Sequence, residues 1–238
     1  MPKPLVTVGP RPIMWHLMQY YARYGHKDFV LCLGYAGEMI REYFLTYNPY
    51  LTGDVSIGPR GKELLSNDES STADWTITML DTGLHANLGE RLMAVRDSLQ
   101  DDDVFLANYS DQLSDLDLTQ YSKDFLASGA HAGFLSVRPP LSYHYVESDQ
   151  NGAVSELKAA HTVDHWINGG YFIFRKTIFD YMKPGEELVV EPFARLAAKK
   201  LLWTRRYDGF WQSMDTFKDK IKFDRMWGQR DMPWQTKR

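Results

Sequence analysis

The chain has 238 residues, enough for one large domain or two small ones and for a sizeable buried core. Hydrophobic residues make up 44% and charged residues 24%, which sets aside disordered and fibrous classes, and a net charge of −4 points away from nucleic acid and anionic membrane surfaces as partners. One cysteine, Cys32, rules out an intramolecular disulfide; with no apolar signal region and no apolar run long enough to span a bilayer, the cytoplasm is the expected location.

Ile13 to Tyr24 has helical spacing, with Trp15, Met18 and Ala22 on one face; Pro12 suits its first turn and Gly25 its end. Phe29 to Leu33 is a continuous apolar run that predicts a buried strand, which makes Cys32 a small core residue. Met39 to Tyr47 returns to helical spacing, so strand and helix alternate as in a layered α/β sheet. Gly53 to Ala73 is polar and predicts a long loop or weak hairpin. Trp75 to Leu80 alternates as a half-buried strand, Glu90 to Leu99 is helical, and Val104 to Ala107 is a buried strand ending at Asn108-Tyr109-Ser110-Asp111. A helix over Leu118 to Ser128 and a strand over Ala132 to Val137 follow. Tyr143 to Val146 and Val154 to Leu157 predict a hairpin around Asn151-Gly152. The remaining pattern predicts a strand over Trp166 to Phe174, helices over Ile178 to Met182 and Glu191 to Lys199, a strand over Leu201 to Tyr207 and a closing helix over Thr216 to Trp227. No repeat, low-complexity tract or linker divides the chain, so residues 1–238 read as a single domain.

Two acidic residues stand out. Asp111 lies just past a buried strand, where open α/β sheets bind ligands and where a carboxylate can hold a hard cation; an Asp there is equally suited to cap the next helix. Asp115 and Asp117, nearer that helix, are better cap candidates. Asp215, in Phe210-Trp211-Gln212-Ser213-Met214-Asp215-Thr216, reads first as the N-cap of the basic helix after it. The glycines of Asn168-Gly169-Gly170-Tyr171 suggest either a bulge or close approach of the backbone to a ligand. Lys3 is fixed between Pro2 and Pro4 in an extended segment. The seven histidines show no metal-ligand spacing, and Ser110 and Ser114 have no glycine elbow around them.

Taken together and in order, these segments resemble the nucleotidyltransferases that activate sugar-1-phosphates, with the nearest likeness to bacterial glucose-1-phosphate cytidylyltransferases. The likeness runs from Pro2-Lys3-Pro4 and the stretch Gly9 to His16, through Asp28 to Tyr35, Asp81-Thr82-Gly83 with Gly89 to Leu92, and Tyr109-Ser110-Asp111. It continues through Trp166 to Phe172, Glu191-Pro192 with Arg195 to Ala197, Gly209 to Thr216, and the tail Met232-Pro233-Trp234. The resemblance implies a Rossmann-like nucleotide-diphosphosugar transferase fold of class α/β, with a mixed, mostly parallel central sheet flanked by helices. It implies transfer of a nucleotidyl group from a nucleoside triphosphate, CTP by the nearest likeness, to a hexose-1-phosphate such as glucose-1-phosphate, with release of pyrophosphate.

Carried over by position, the resemblance makes Asp111 and Asp215 the Mg²⁺ carboxylates and Lys3 the lysine that neutralises triphosphate charge. Arg91 and Ser110 fall on the nucleotide side; Lys158, Asn168, Gly169 and Glu191 fall on the sugar-phosphate side. A homo-oligomer is implied as well. Family members open with a strand and a glycine-rich loop, whose backbone N–H groups hold the triphosphate; roughly twenty such residues are expected before Met1-Pro2-Lys3. Two readings follow: an internal start, or a short member that binds or assembles without turnover. Without that strand, its neighbours are expected to show unpaired edges. Ser110 and Gln112 stand where the family has glycines, and Ser213 where it has proline. Ala86 and Leu88 replace hydroxyl residues near the nucleotide, which leaves UTP, dTTP or GTP as alternatives to CTP.

Overall fold

A fixed proline φ and a missing N–H suit a helix start, and Pro12 is the N-cap of the first long helix. The protein is described from a computed structural model covering residues 1–51, 54–65, 72, 74–99, 103–139, 144–159 and 164–235. Tyr143 and parts of the 53–73 segment, named in the sequence-based expectations, lie outside the described residues.

In chain order, a short 3₁₀ turn (Lys3–Leu5) leads into β1 (Thr7–Val8), β2 (Arg11–Pro12) and α1 (Ile13–Arg23). Then come β3 (Asp28–Leu33), α2 (Gly37–Leu45), the hairpin β4 (Val55–Gly58) and β5 (Gly61–Leu64), β6 (Thr76–Asp81) and α3 (Leu88–Ala94). The middle of the chain forms β7 (Val104–Ala107), β8 (Gln112–Ser114), α4 (Leu118–Ser128), β9 (Ala132–Val137), and the hairpin β10 (His144–Ser148) and β11 (Val154–Ala159). The last part forms β12 (Ile167–Asn168), β13 (Phe172–Arg175), α5 (Glu191–Ala198), β14 (Leu202–Tyr207), β15 (Trp211–Ser213) and α6 (Phe217–Gly228).

Helix α1 is buried on every face rather than along one stripe, which marks it as a central element. Ile13, Leu17, Tyr20 and Tyr21 enter one core, while Met14 and Met18 enter another. The C-terminal tail closes over it: Trp234 is buried beside His16, and Arg23 donates to the Trp234 carbonyl at 3.0 Å. The β1–β2 turn needs Gly9, whose φ is +59° and whose missing Cβ would sit 2.2 Å from the Trp227 ring.

His16 is 2% exposed, and its Nε2 donates to the Val8 carbonyl at 2.8 Å. Burial pushes its pKa down to about 4, with Arg23 and Arg11 acting in the same direction and the Val8 bond opposing them. The folded state therefore binds fewer protons than the unfolded chain. The stabilising difference is fully present above the unfolded pKa of 6.5 and is lost as pH falls toward about 4. The expected loss across that window is up to about 3 kcal/mol. Urea denaturation at the two ends of the window checks this, and His16→Gln, which keeps the donor, should abolish His16's share of the difference.

The expectation of one mostly parallel central sheet is corrected. The largest sheet centres on β9, with β14 parallel on one edge and β12 and β13 antiparallel on the other, and β7 antiparallel beyond β13. The parallel pair β3–β6 forms a separate sheet. The reason is local. β12 and β13 run in one direction along the same edge of β9, both antiparallel to it and separated by a bulge at 169–171, and no strand among the described residues joins β3 to β7.

The two sheets nevertheless share a layer. Phe29 of β3 and Val104 and Leu106 of β7 pack on one core, while Val30 of β3 and Phe105 and Ala107 of β7 pack on the other. Among the described residues β3 pairs with β6 and β7 pairs with β13, and neither has a second ladder partner. Cys32, expected in the core, is exposed. Trp166 to Phe174 is two short strands rather than one, and the helix expected over Ile178 to Met182 is a 3₁₀ helix, Lys176–Tyr181. No helix among the described residues is long and apolar enough to cross a membrane.

Candidate active site

The short strands β8 and β15 were invisible in the hydrophobic pattern, yet they assemble the site. They pair antiparallel, with Gln112 opposite Ser213, and the ladder continues as Met214 N–H donates to the Asp111 carbonyl at 2.9 Å. The residue on either side of this junction is an acid, so Asp111, from the middle of the chain, and Asp215, from near its end, come together. Asp215 is not the helix cap that its position suggested. Thr216 is the N-cap of α6 and forms a capping box with Asp219, which leaves the Asp215 carboxylate free for the site. Asp117 caps α4 as expected.

Asp115 does not cap a helix. It is buried, and it accepts hydrogen bonds from Phe210 N–H at 2.8 Å and from the Tyr207 hydroxyl, fastening the segment that feeds β15.

The Lys3 ammonium lies between the two acids, 2.7 Å from Asp111 Oδ2 and 2.5 Å from Asp215 Oδ1. Ser213 Oγ donates to the other Asp215 oxygen at 2.5 Å. Burial works against the Lys3 charge, but hydrogen bonds and attraction from Asp111 and Asp215 outweigh it and raise its pKa. The hydrogen bond from Lys3, then that from Ser213, holds the Asp215 carboxyl below the usual range. The Asp111 side chain is 18% exposed against 60% for Asp215, so solvent screens Asp111 less and its charge acts more strongly.

A second group of residues adjoins Asp111 through Tyr109. Asn168 Nδ2 lies 3.4 Å from the Tyr109 hydroxyl, and Asn168 Oδ1 accepts from Gly170 N–H at 2.9 Å. Trp211 of β15 donates to the Gly169 carbonyl at 2.8 Å, tying this bend to the strand that ends near Asp215. Gly170 has φ +71°, and a Cβ there would meet Gln112 Oε1 at 2.5 Å and Asn108 Oδ1 at 2.7 Å. Tyr171 is also left-handed, at φ +48°; Asn108 accepts from its N–H and the Tyr121 hydroxyl donates to its carbonyl, at 3.1 and 2.8 Å. The paired glycines thus mark a sharp, over-determined bend against the site.

The other candidates stand apart from the Lys3–Asp111–Asp215 cluster. Arg91 donates to the Leu33 carbonyl at 3.2 Å and to Thr82 Oγ1 at 2.8 Å, clamping the carboxyl ends of β3 and β6. Lys158 lies on the exposed hairpin, paired with Glu156 at 2.5 Å and Glu147 at 3.8 Å. Glu191 opens α5, and its carboxylate accepts from Glu187 N–H at 3.1 Å. Ser110 sits in the turn between β7 and β8. Tyr109 and Ser213 were not singled out for this site by sequence; Tyr109 lies two residues before Asp111 and Ser213 two residues before Asp215.

Two acids drawn to one ammonium, beside a polar bend at strand ends of a mixed α/β fold, make a site suited to polyanionic ligands that arrive with a cation. The chain belongs to the nucleotidyl transferase family, whose model matches residues 1–200. It is 32% identical to the glucose-1-phosphate cytidylyltransferase of Salmonella typhi over 99% of this chain and 91% of that protein. It is 34% identical to a probable glucose-1-phosphate cytidylyltransferase of Bacillus subtilis over 98% of this chain and 91% of that protein. Two solved structures show the same fold at low identity. HddC from Yersinia pseudotuberculosis aligns with a TM-score of 0.65 at 15% identity, covering 95% of this chain and 90% of that one. A UTP-bound UGPase from Acinetobacter baumannii aligns with a TM-score of 0.66 at 14% identity, covering 97% and 87%.

Proposed function

We propose that this chain transfers a cytidylyl group from CTP to glucose-1-phosphate, releasing pyrophosphate and forming a nucleotide-sugar. The observation that carries the reading is the convergence of Lys3, Asp111 and Asp215 at one point. The cytidylyltransferase relatives support the choice of nucleotide and sugar.

A phosphate oxygen of the sugar-1-phosphate attacks the α-phosphorus in line; the new P–O bond forms as the bond to the β-phosphate bridging oxygen breaks, and pyrophosphate leaves with that electron pair. The nucleophile is already anionic near neutral pH, so no side chain has to remove a proton. The protein's task is to place two polyanions together and to neutralise their repulsion.

Asp111 and Asp215 fit an Mg²⁺ ion, because one oxygen of each already reaches a common nitrogen. No group of three or more His, Cys, Asp or Glu is arranged for a metal among the described residues, so substrate oxygens and water would complete such a shell. When bound, Mg²⁺ supplies charge neutralisation on the phosphoryl oxygens. Lys3 neutralises the carboxylates when they are alone and is placed to meet the triphosphate charge. Asn168 and Gly169 line the sugar side, held there by Trp211 and Tyr109.

A triphosphate panel tests the specificity. With glucose-1-phosphate and Mg²⁺, CTP is expected to give pyrophosphate release at least about tenfold faster than UTP, dTTP or GTP, a difference of roughly 1.4 kcal/mol. Preference for another triphosphate rejects the cytidylyl assignment. Binding of glucose-1-phosphate with no release from any triphosphate identifies a non-catalytic binding or assembly subunit instead.

A further inference from the structure

The hairpin of β10 and β11 stands outside the sheets that build the site. It is a two-stranded sheet of its own, and among the described residues neither strand pairs with a third. Val146 lies opposite Leu157, so the two share a face, yet they are 56% and 62% exposed. Tyr145 opposite Lys158 and Glu147 opposite Glu156 form the other face. A two-stranded ribbon with no covered apolar face is marginal in water, and further strands are what stabilise it. Its outer edges carry the backbone groups that pair with such strands.

The charges on the second face are unbalanced within one chain. Glu147 and Glu156 oppose each other directly, a destabilising arrangement, and one ammonium serves both: Lys158 lies 2.5 Å from Glu156 and 3.8 Å from Glu147. The order of residues along β11 supplies the missing charge. In Glu156-Leu157-Lys158 an acid and a base flank an apolar residue, so the segment is complementary to itself run in the opposite direction. Antiparallel pairing of β11 with the same strand of a second copy, centred on Leu157, sets Leu157 opposite Leu157, Glu156 opposite the partner's Lys158, and Lys158 opposite the partner's Glu156. One face of the resulting four-stranded sheet carries a continuous apolar row, Val146 and Leu157 followed by the same pair of the other copy. On the opposite face each Glu147–Glu156 pair gains a second ammonium. The outer edge of β10 has no such match: pairing with itself about Val146 sets Tyr145 opposite Glu147 and leaves the carboxylates without a counter-charge.

We propose that the outer edge of β11 is a two-fold interface, at which Glu156, Leu157 and Lys158 pair antiparallel with the same residues of a second copy of this chain. A two-fold axis through the Leu157 pair is the arrangement that satisfies both charge pairs at once, because the same patch serves on each copy. The interface lies on the exposed hairpin, apart from the Lys3–Asp111–Asp215 cluster, so it does not rest on the nucleotidyl-transfer reading.

The test is sedimentation velocity of the full chain over a dilution series reaching about 100 µM, with circular dichroism to follow folding. Wild type is expected at twice the chain mass, or at an even multiple of it. Glu156→Lys sets Lys opposite Lys across the axis, and Lys158→Glu sets Glu opposite Glu. Each is expected to raise the dissociation constant at least about tenfold, shifting the particle toward half its mass. Within one chain Glu156→Lys places a cation opposite Glu147, so the hairpin itself is not weakened and the loss belongs to the interface. The double swap, Glu156→Lys with Lys158→Glu, restores both pairs and should associate within about threefold of wild type. If the charge variants fail to fold, Leu157→Asp decides, since it sets two acids opposite each other on the axis and should leave half the mass. Wild type that is monomeric throughout, single variants that associate as wild type does, or a double swap as weak as the single variants each overturns the proposal.

Discussion

Asp111→Asn is expected to lower kcat for pyrophosphate release at least about 100-fold, roughly 3 kcal/mol of transition-state stabilisation, with a melting temperature within a few degrees of wild type. The two effects separate because Asp111 plays different parts in folding and in chemistry. In folding it is one of two partners of Lys3, in a group that solvent partly reaches, and such pairs contribute about 1 kcal/mol or less. In the proposed reaction it is the better shielded of two carboxylates that hold the cation against the triphosphate. Asparagine preserves shape and removes the charge. Asp215→Asn should behave alike, and the double variant should lose little more than either single one, since the two acids serve one cation. Mn²⁺ binding followed by electron paramagnetic resonance gives an independent readout. Turnover by Asp111→Asn at the wild-type rate would remove Asp111 from the mechanism.

Asp115→Ala should act in the opposite way, through stability. The Asp115 side chain is buried, and it accepts from the Phe210 N–H and the Tyr207 hydroxyl. Alanine leaves the Phe210 N–H without this acceptor and opens a gap beneath the β15 approach. The expected loss is about 3–5 kcal/mol, measured by urea denaturation. Activity should fall as well, because the released segment carries Trp211, Ser213 and Asp215 into the site. Asp115→Asn, which keeps one acceptor oxygen, should recover a good part of both. A variant as stable as wild type would show that the β8–β15 ladder holds without this latch.

The strong periodic segments were legible because burial imposes a period on the chain. The strand Ala132–Val137 and the helix Leu118–Ser128 appear where the apolar spacing put them, and α6 begins where a Thr and an Asp form a capping box. Short strands fixed by long-range pairing leave no such trace. β8 and β15 have three residues each, are nearly a hundred positions apart in the chain, and are defined by each other. The largest sheet was misjudged for a related reason: apolar runs reveal that a strand is buried, not which neighbour it takes or in which direction.

The sequence by itself determined the alternating α/β pattern, the family through its ordered motifs, and the residue types available for phosphate chemistry. Tertiary structure decided which of those residues meet. Asp215 looked like a helix cap until Thr216 was found in that role, and Lys3, held between two prolines, is found between two acids. Arg91 reaches from α3 to the carboxyl ends of β3 and β6, and Lys158 pairs with acids on the exposed hairpin, positions that only the fold reveals. The physical reason is that hydrophobic periodicity is a local consequence of burial, whereas a binding site is made by contacts between distant segments. The position of a charge in space depends on pairing and packing that no single stretch of the chain encodes.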